Sequence, residues 1–360
     1  MSWFWFSIIA LLCWSGSDFF SKIGCRDASD KYSQFKMVMA VGLVMGLHAA
    51  WEIFVGGVTI SWQIIWTYLP VSLLYIGSMA LGYVGLRYIE LSISSPICNA
   101  SGALVAILSI LFGTAGRMEL PQYLAVALAA AGVIGLGFVE AGEDDELRAA
   151  RQEASNYRYA KSWLALALPL AYCLLDAAGT FADSLVLEVF HNDFIQANVA
   201  PEFADLFRNG IPEYLIGENP LPAEFLSRFT AEQGEALRTF VTEMSDASSS
   251  SANVAYELTF LVAGIFCLVY TVGIRKQKLV PKMEIPKYIG AGFETVGQFA
   301  YIFALADKAH VTMAAPIISS YCAVSVLWSR LFLKEKLSWK HYLCVAVTIV
   351  GIIVMGIYDM

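Results

Sequence analysis

Apolar residues run along this chain in long blocks, separated by short polar stretches. This is neither the alternation of a half-buried strand nor the narrow stripe of a surface helix. A helix needs roughly 20 apolar residues to cross the hydrocarbon core with its backbone polar groups paired internally. Ten blocks qualify: Trp3 to Ser21, Phe35 to Val55, Ile64 to Tyr88, Ile93 to Phe112, Gln122 to Val139, Trp163 to Val186, Ala255 to Val272, Tyr288 to Ala306, Thr312 to Phe332 and His341 to Ile357. Turn-forming stretches separate them, such as Gly24 to Lys31 and the two-proline run Lys278 to Lys287. The pattern predicts an all-α membrane protein of ten transmembrane helices. Trp3, Trp62, Trp163, Trp339 and Tyr358 fall near block ends, where amphipathic rings sit at headgroup depth.

The segment Leu187 to Ala252 breaks the pattern between the sixth and seventh blocks and reads as a soluble insertion. Thr230 followed by Gln233 has the spacing of a capping box, and Leu226, Phe229, Leu237, Phe240, Val241 and Met244 can line one face of a short helix. The insertion is expected to fold as helices lying on the membrane part. The serine run Ser248 to Ser251 is expected to be a flexible link back to the membrane.

Composition agrees: 58% of the 360 residues are hydrophobic and 15% charged, too few charges to wet the surface of a soluble domain. The first block lacks a basic start and a small-residue cleavage site, so it reads as a spanning helix and not as a signal peptide. The formal charge of −8 resides in the insertion, which holds eleven acids against three arginines. Lys and Arg otherwise gather in odd-numbered connections: Lys22, Arg26, Lys31 and Lys36; Arg148, Arg151, Arg158 and Lys161; Arg275, Lys276, Lys278, Lys282 and Lys287; Lys334, Lys336 and Lys340. The positive-inside bias then places these in the cytoplasm and both termini and the acidic insertion on the other side. The location expected is the plasma (inner) membrane of a bacterium. Seven cysteines and four histidines are scattered without metal-ligand spacing, so no metal or cofactor is expected.

The chain also repeats itself. With Pro96 set on Pro316, Gly77 falls on Gly297, Ala80 on Ala300, Ile97 on Ile317, Ala103 on Ala323, Ser109 on Ser329, Leu111 on Leu331 and Phe112 on Phe332. A register one residue shorter sets Tyr123, Leu124, Gly132 and Gly137 on Tyr342, Leu343, Gly351 and Gly356, and Asp18 falls on Asp176 in the leading helices. Five helices per copy is an odd number, so the second copy enters the bilayer from the opposite face, as in carriers that hold substrate near the midplane. On these marks the chain resembles the drug/metabolite transporter superfamily, specifically EamA-like permeases. The run Gly82 to Glu90, the Pro96 helix start and the close Phe332 to Ser338, with Glu335 at the acid of the family's turn, carry the likeness. It spans nearly all the chain except the insertion. The first copy has Gly113 to Arg117 where that turn falls, without an acid, and the long connection replaces a short one. The resemblance implies a fold of two inverted five-helix repeats: 1–140, then a charged loop 141–161, then 162–186 and 253–360 flanking the insertion 187–252.

Ionisable side chains at membrane depth are costly and by default face a cavity or a partner. Asp176 and Glu294 lie mid-block, and Asp18 lies nearer the end of the first block, within reach of the interface. Such carboxylates can exchange a proton or pair with a cationic substrate. Around them Trp14, Ser17, Tyr75, Ser78, Tyr83, Asn99, Ser101, Tyr172, Gln298, Tyr301, Ser319, Ser320 and Tyr321 can grip a small organic molecule. Gly42 and Gly46 have the spacing for close helix contact. Gly132, Gly135 and Gly137 follow no strand, which favours packing over dinucleotide binding, and the lack of a phosphate loop argues against an ATP-driven pump. The expectation is therefore a secondary carrier for a small metabolite, amino acid or amphipathic compound, and not an enzyme. Its partners would be that solute, membrane lipids, a proton or another coupling ion and, in a homodimer, a second copy of the chain, but no nucleic acid. The rival reading is a membrane-anchored receptor whose insertion binds a partner.

Overall fold

The computed structural model describes residues 3–25, 30–88, 98–112, 118–141, 164–216, 220–306, 310–332 and 338–358. Pro96, Glu90, the Gly113 to Arg117 turn, Glu335 and the charged loop around Arg148 to Lys161 lie outside them. The described residues are helical without strands. In chain order they form α1 (Trp3–Cys25), α2 (Ser33–Phe54), α3 (Trp62–Tyr88), α4 (Ser101–Leu111), α5 (Leu120–Ala141), α6 (Leu164–Asn198), α7 (Ala223–Leu226), α8 (Ala231–Leu268), α9 (Pro281–Leu305), α10 (Val311–Ser319), α11 (Tyr321–Phe332) and α12 (Trp339–Ile357).

Eight of the spans are long and apolar enough to cross a membrane, α10 and α11 together counting as one and α8 continuing through a π-helical turn to Ile274. This is an integral, multi-pass membrane protein. Of the two remaining expected blocks, α4 is described over only 11 residues. The other, α9, is polar for a spanning helix because Glu284, Lys287, Glu294, Thr295 and Gln298 all lie along it, and all five are buried against neighbouring helices. Large apolar side chains such as Leu47, Trp51, Phe54, Trp66, Phe138, Phe266 and Ile353 face outward, as expected where the surrounding solvent is lipid. Trp62, Trp339 and Tyr358 are exposed at helix ends, whereas Trp3 is buried and stacks on His310 with ring centroids 5.0 Å apart. A ring covered by its own protein is no headgroup anchor.

The helices pack in pairs: α1 with α9, α3 with α6, α2 with α8, α4 with α10 and α5 with α12. Close approach is made by glycines. A Cβ at Gly42 would meet the Phe260 carbonyl oxygen at 2.5 Å and one at Gly46 would meet Leu261, so both expected contact glycines of α2 lie against α8. Gly132 of α5 would meet the backbone of α12 at Cys344, and Gly351 of α12 would meet that of α5 at Ala125.

Where α1, α2 and α9 meet, Lys36 pairs with Asp30 at 3.0 Å and Glu284 at 3.2 Å, and Lys287 pairs with the same two acids at 3.2 and 3.3 Å. All four side chains are buried. Two lysines of the odd-numbered connections are thus held inside an electroneutral cluster instead of facing lipid headgroups.

At 1.5 Å per residue, α6 is roughly 50 Å long and α8 roughly 57 Å. Both exceed a hydrocarbon core of about 30 Å. They therefore run on as stalks beyond the membrane, and between them 3₁₀ turns at Ala204–Phe207 and Glu213–Leu215 and the short α7 close around Ile195, Phe207, Leu215, Phe225, Leu237 and Val241. The capping box is present: Thr230 Oγ1 accepts from the Gln233 amide at 3.2 Å, and the Gln233 side chain accepts from the Thr230 amide at 2.8 Å. Phe229, Phe240 and Met244 pack on this small core, while Leu226 points outward. The flexible link expected at Ser248 to Ser251 is overturned, because these residues lie inside α8 with Ser248, Ser249 and Ser251 fully buried. Ser251 Oγ reaches the Ala247 carbonyl one turn back and the Thr59 carbonyl at 2.8 Å, and Ser249 Oγ meets His191 Nε2 at 3.2 Å. Small hydroxyls satisfied by the helix's own carbonyls make a packing face, not a hinge.

Candidate functional site

A cavity of about 100 Å3 lies among the helices. That is somewhat smaller than the roughly 150 Å3 void known to admit a benzene. Its wall comes from eight helices and the turn before α4. Trp14, Ser17, Asp18 and Ser21 belong to α1; Tyr75, Met79, Gly82 and Tyr83 to α3; Cys98 and Asn99 precede α4, which adds Ser101. Tyr172 and Asp176 come from α6, Tyr256 from α8, Glu294 and Gln298 from α9, and Ser319 and Tyr321 flank the α10–α11 junction.

Three carboxylates therefore share one small chamber. Asp18, which the sequence allows to reach the interface, sits in the cavity with Asp176 and Glu294. The Ser17 hydroxyl faces Glu294, and those of Ser78 and Ser101 face Asp176. Among the described residues no Lys, Arg or His lines the cavity; a positive charge acting on Asp18 is Lys22, four residues further along α1. Several polar atoms of the wall are unmatched among the described residues: Trp14 Nε1, Asp18 Oδ2, Tyr83 OH and Gln298 Nε2 have no hydrogen-bond partner there, and Tyr83 and Gln298 are buried. A buried donor left unpaired costs about 1–3 kcal/mol, so these atoms mark where a ligand or water completes the structure.

The helix breaks are part of the wall. The chain leaves regular helix at Ser320, with φ −72° and ψ 2°, and at Ala100, with φ −67° and ψ −8°. These two residues correspond under the repeat register of 220, and their neighbours Ser319 and Asn99 both line the cavity. Discontinuous helices are the usual means of bringing backbone polar groups to a chamber at mid-membrane. Ser320 itself turns its hydroxyl back to the Pro316 carbonyl at 2.7 Å and is not in the wall.

Of the residues singled out from sequence, Tyr301 and Ser78 also stand behind the wall. Tyr301 packs on Trp14 with ring centroids 4.9 Å apart, and its hydroxyl touches that of Tyr75 and lies 2.8 Å from Thr180 Oγ1. Sequence reasoning missed Tyr256 and Asp183. Tyr256 is fully buried, packs edge-on to Tyr75 and donates to the Met79 sulfur at 3.3 Å. Asp183 is fully buried behind Tyr75; Tyr68 donates to it at 2.7 Å and Tyr75 at 3.4 Å. Its spacing of seven residues from Asp176 puts both acids on one face of α6, a signal that was available.

Comparison with known proteins agrees with this architecture. Residues 239–357 match the EamA-like transporter family. That segment covers α8 from within the insertion's core through α12, about a third of this multi-pass chain. A solved structure described only as "Crystal structure of protein" superposes with a TM-score of 0.58 at 11% identity, covering 99% of this chain and 96% of that one. At that identity the likeness is one of fold, and it runs over nearly the whole chain. No curated protein matches the sequence.

Proposed function

We propose that this protein is a secondary carrier that moves a small, amine-bearing amphipathic solute by alternating access, with the cavity as its binding site. The observation that carries the reading is the meeting of Asp18, Asp176 and Glu294 in a chamber that six aromatic rings help to line and to which no basic side chain contributes among the described residues. A buried carboxylate without a cation is costly, and a solute ammonium supplies one. The faces of Trp14, Tyr172 and Tyr321 suit the same charge through cation–π contact. The unpartnered donors Tyr83 OH and Gln298 Nε2 would hold an oxygen of the solute. Metabolite, amino acid and drug-like compounds of this kind fall within the class.

Ten membrane helices in two inverted five-helix repeats form part of the same proposal. Exchanging the halves converts the α1–α9 contact into α6–α3 and leaves α2–α8, α4–α10 and α5–α12 as self-related pairs, which supports the repeat. The matching breaks at Ala100 and Ser320 and the reciprocal glycine contacts of α5 and α12 add to that support. In this reading the chamber opens to one side and then the other, in a bacterial inner membrane with the insertion extracytoplasmic.

Purified protein in proteoliposomes should accumulate benzyltrimethylammonium, a permanent aromatic cation that enters once the chamber opens beyond its present volume of about 100 Å3, and Asp176→Asn with Glu294→Gln should abolish uptake. Uptake no greater than in protein-free vesicles, together with no binding in detergent, would refute a cation carrier. A receptor role is the second reading, favoured by the separate core of the insertion. Replacing 201–229 by a short glycine–serine loop decides between them: a carrier keeps its flux.

A further inference from the structure

Asp183 lies outside the cavity wall, buried on α6 among hydroxyl groups. Its partners among the described residues are Tyr68 OH on Oδ1 and Tyr75 OH on Oδ2, with no basic side chain among them. Other titratable groups facing it are Tyr256 from α8 and Tyr301 from α9, with Asp176 seven residues earlier on its own helix; the described part of α4 brings none. A carboxylate so placed must hold a proton for at least part of its cycle or be compensated by other groups.

Counting protons along the hydroxyls shows how it can hold one. The contacts run from Tyr68 to Asp183 to Tyr75 to Tyr301 to Thr180, whose hydroxyl also faces Tyr75. Each tyrosine has a single proton to donate. With Asp183 ionised, Tyr75 donates to Asp183, Tyr301 must then donate to Tyr75, and Thr180 to Tyr301. With Asp183 protonated, its own O–H donates to Tyr75, Tyr75 to Tyr301 and Tyr301 to Thr180, whose hydroxyl proton turns elsewhere. Both arrangements use the same heavy-atom positions and differ by one proton. Tyr75 is the link that also faces the cavity.

We propose that Asp183 is a proton-binding site of the carrier, joined through Tyr75 to the solute chamber, so that a cation entering the chamber displaces its proton. This rests on the carrier reading above. It assigns the coupling ion to a carboxylate that does not itself touch the solute, and leaves the three cavity acids for the solute.

The test is infrared difference spectroscopy of the full-length protein with isotopically labelled aspartate, which reads the protonated-carboxyl stretch. A band that titrates with pH and is absent in Asp183→Asn is expected. Saturating benzyltrimethylammonium should remove it from the wild type but not from Tyr75→Phe. The probe carries no titratable proton, so any proton released into weakly buffered detergent comes from the protein. A pH-independent Asp183 signal overturns the proposal, whatever the probe does. So does a titrating band that the probe leaves intact while still binding. Should the probe not bind at all, the cation-carrier reading falls and with it the displacement step, whereas the pH titration still decides whether Asp183 binds a proton. Thermal unfolding of each variant in detergent separates these results from misfolding.

Discussion

Gly42 and Gly264 touch where α2 crosses α8: a Cβ on Gly42 would stand 2.9 Å from the Gly264 Cα. The obstruction is backbone, including the Phe260 carbonyl oxygen at 2.5 Å, so no side-chain rotation can relieve it. Gly42→Ala should therefore destabilise by about 1–3 kcal/mol through forced helix separation, and Gly42→Leu by more. Thermal unfolding in detergent reads the effect, and wild-type stability in Gly42→Leu would rule out this contact.

The four-charge cluster makes a second prediction. Lys287→Met removes one of the two lysines that Asp30 and Glu284 share, and breaking a buried pair on one side costs about 3–5 kcal/mol. Adding Glu284→Gln restores neutrality and should recover much of that loss. If the double variant is no better than the single one, the cluster is not held together by charge balance.

Within the cavity, Asp176→Asn and Glu294→Gln should each weaken binding of benzyltrimethylammonium by roughly tenfold or more, the equivalent of about 1.4 kcal/mol. Ser320→Ala, whose hydroxyl is satisfied by Pro316, should leave affinity unchanged. Equilibrium dialysis of the detergent-solubilised protein measures all three. Equal affinities throughout would place the cation elsewhere.

The serine run gives a fourth. Proline at Ser249 removes a helix hydrogen bond from a packed segment and should cost about 3 kcal/mol or more. Hydrogen exchange across 245–255 should accelerate in that variant and be slow in the wild type. Fast exchange in the wild type would restore the segment to a linker.

The polar residues that meet in the cavity were legible because each interrupts an apolar block, and at membrane depth such an interruption has few stable resting places besides a chamber. The contact glycines of α2 were legible from their spacing. What was lost lay at block edges. Hydropathy falls where a helix leaves the bilayer, but the backbone has no reason to stop there, so α6 and α8 continue as stalks. Setting the edges at Val186 and Ala255 put Asp183 and Tyr256 near helix ends, although both are fully buried. Ser248 to Ser251 misled because composition alone does not distinguish serines in water from serines against another helix. The cluster of Lys36 and Lys287 with Asp30 and Glu284 pairs residues some 250 positions apart, beyond any local pattern.

Tyr256 and Leu237 stand on one unbroken helix, the first in the chamber wall and the second in the core of the insertion. Nineteen residues of helix separate them by roughly 28 Å. A rod of that length, rocked by about 5°, carries its far end about 2.5 Å. Whatever grips the acidic lobe, a natural ligand or a laboratory antibody, thus has a lever whose other arm ends beside the solute.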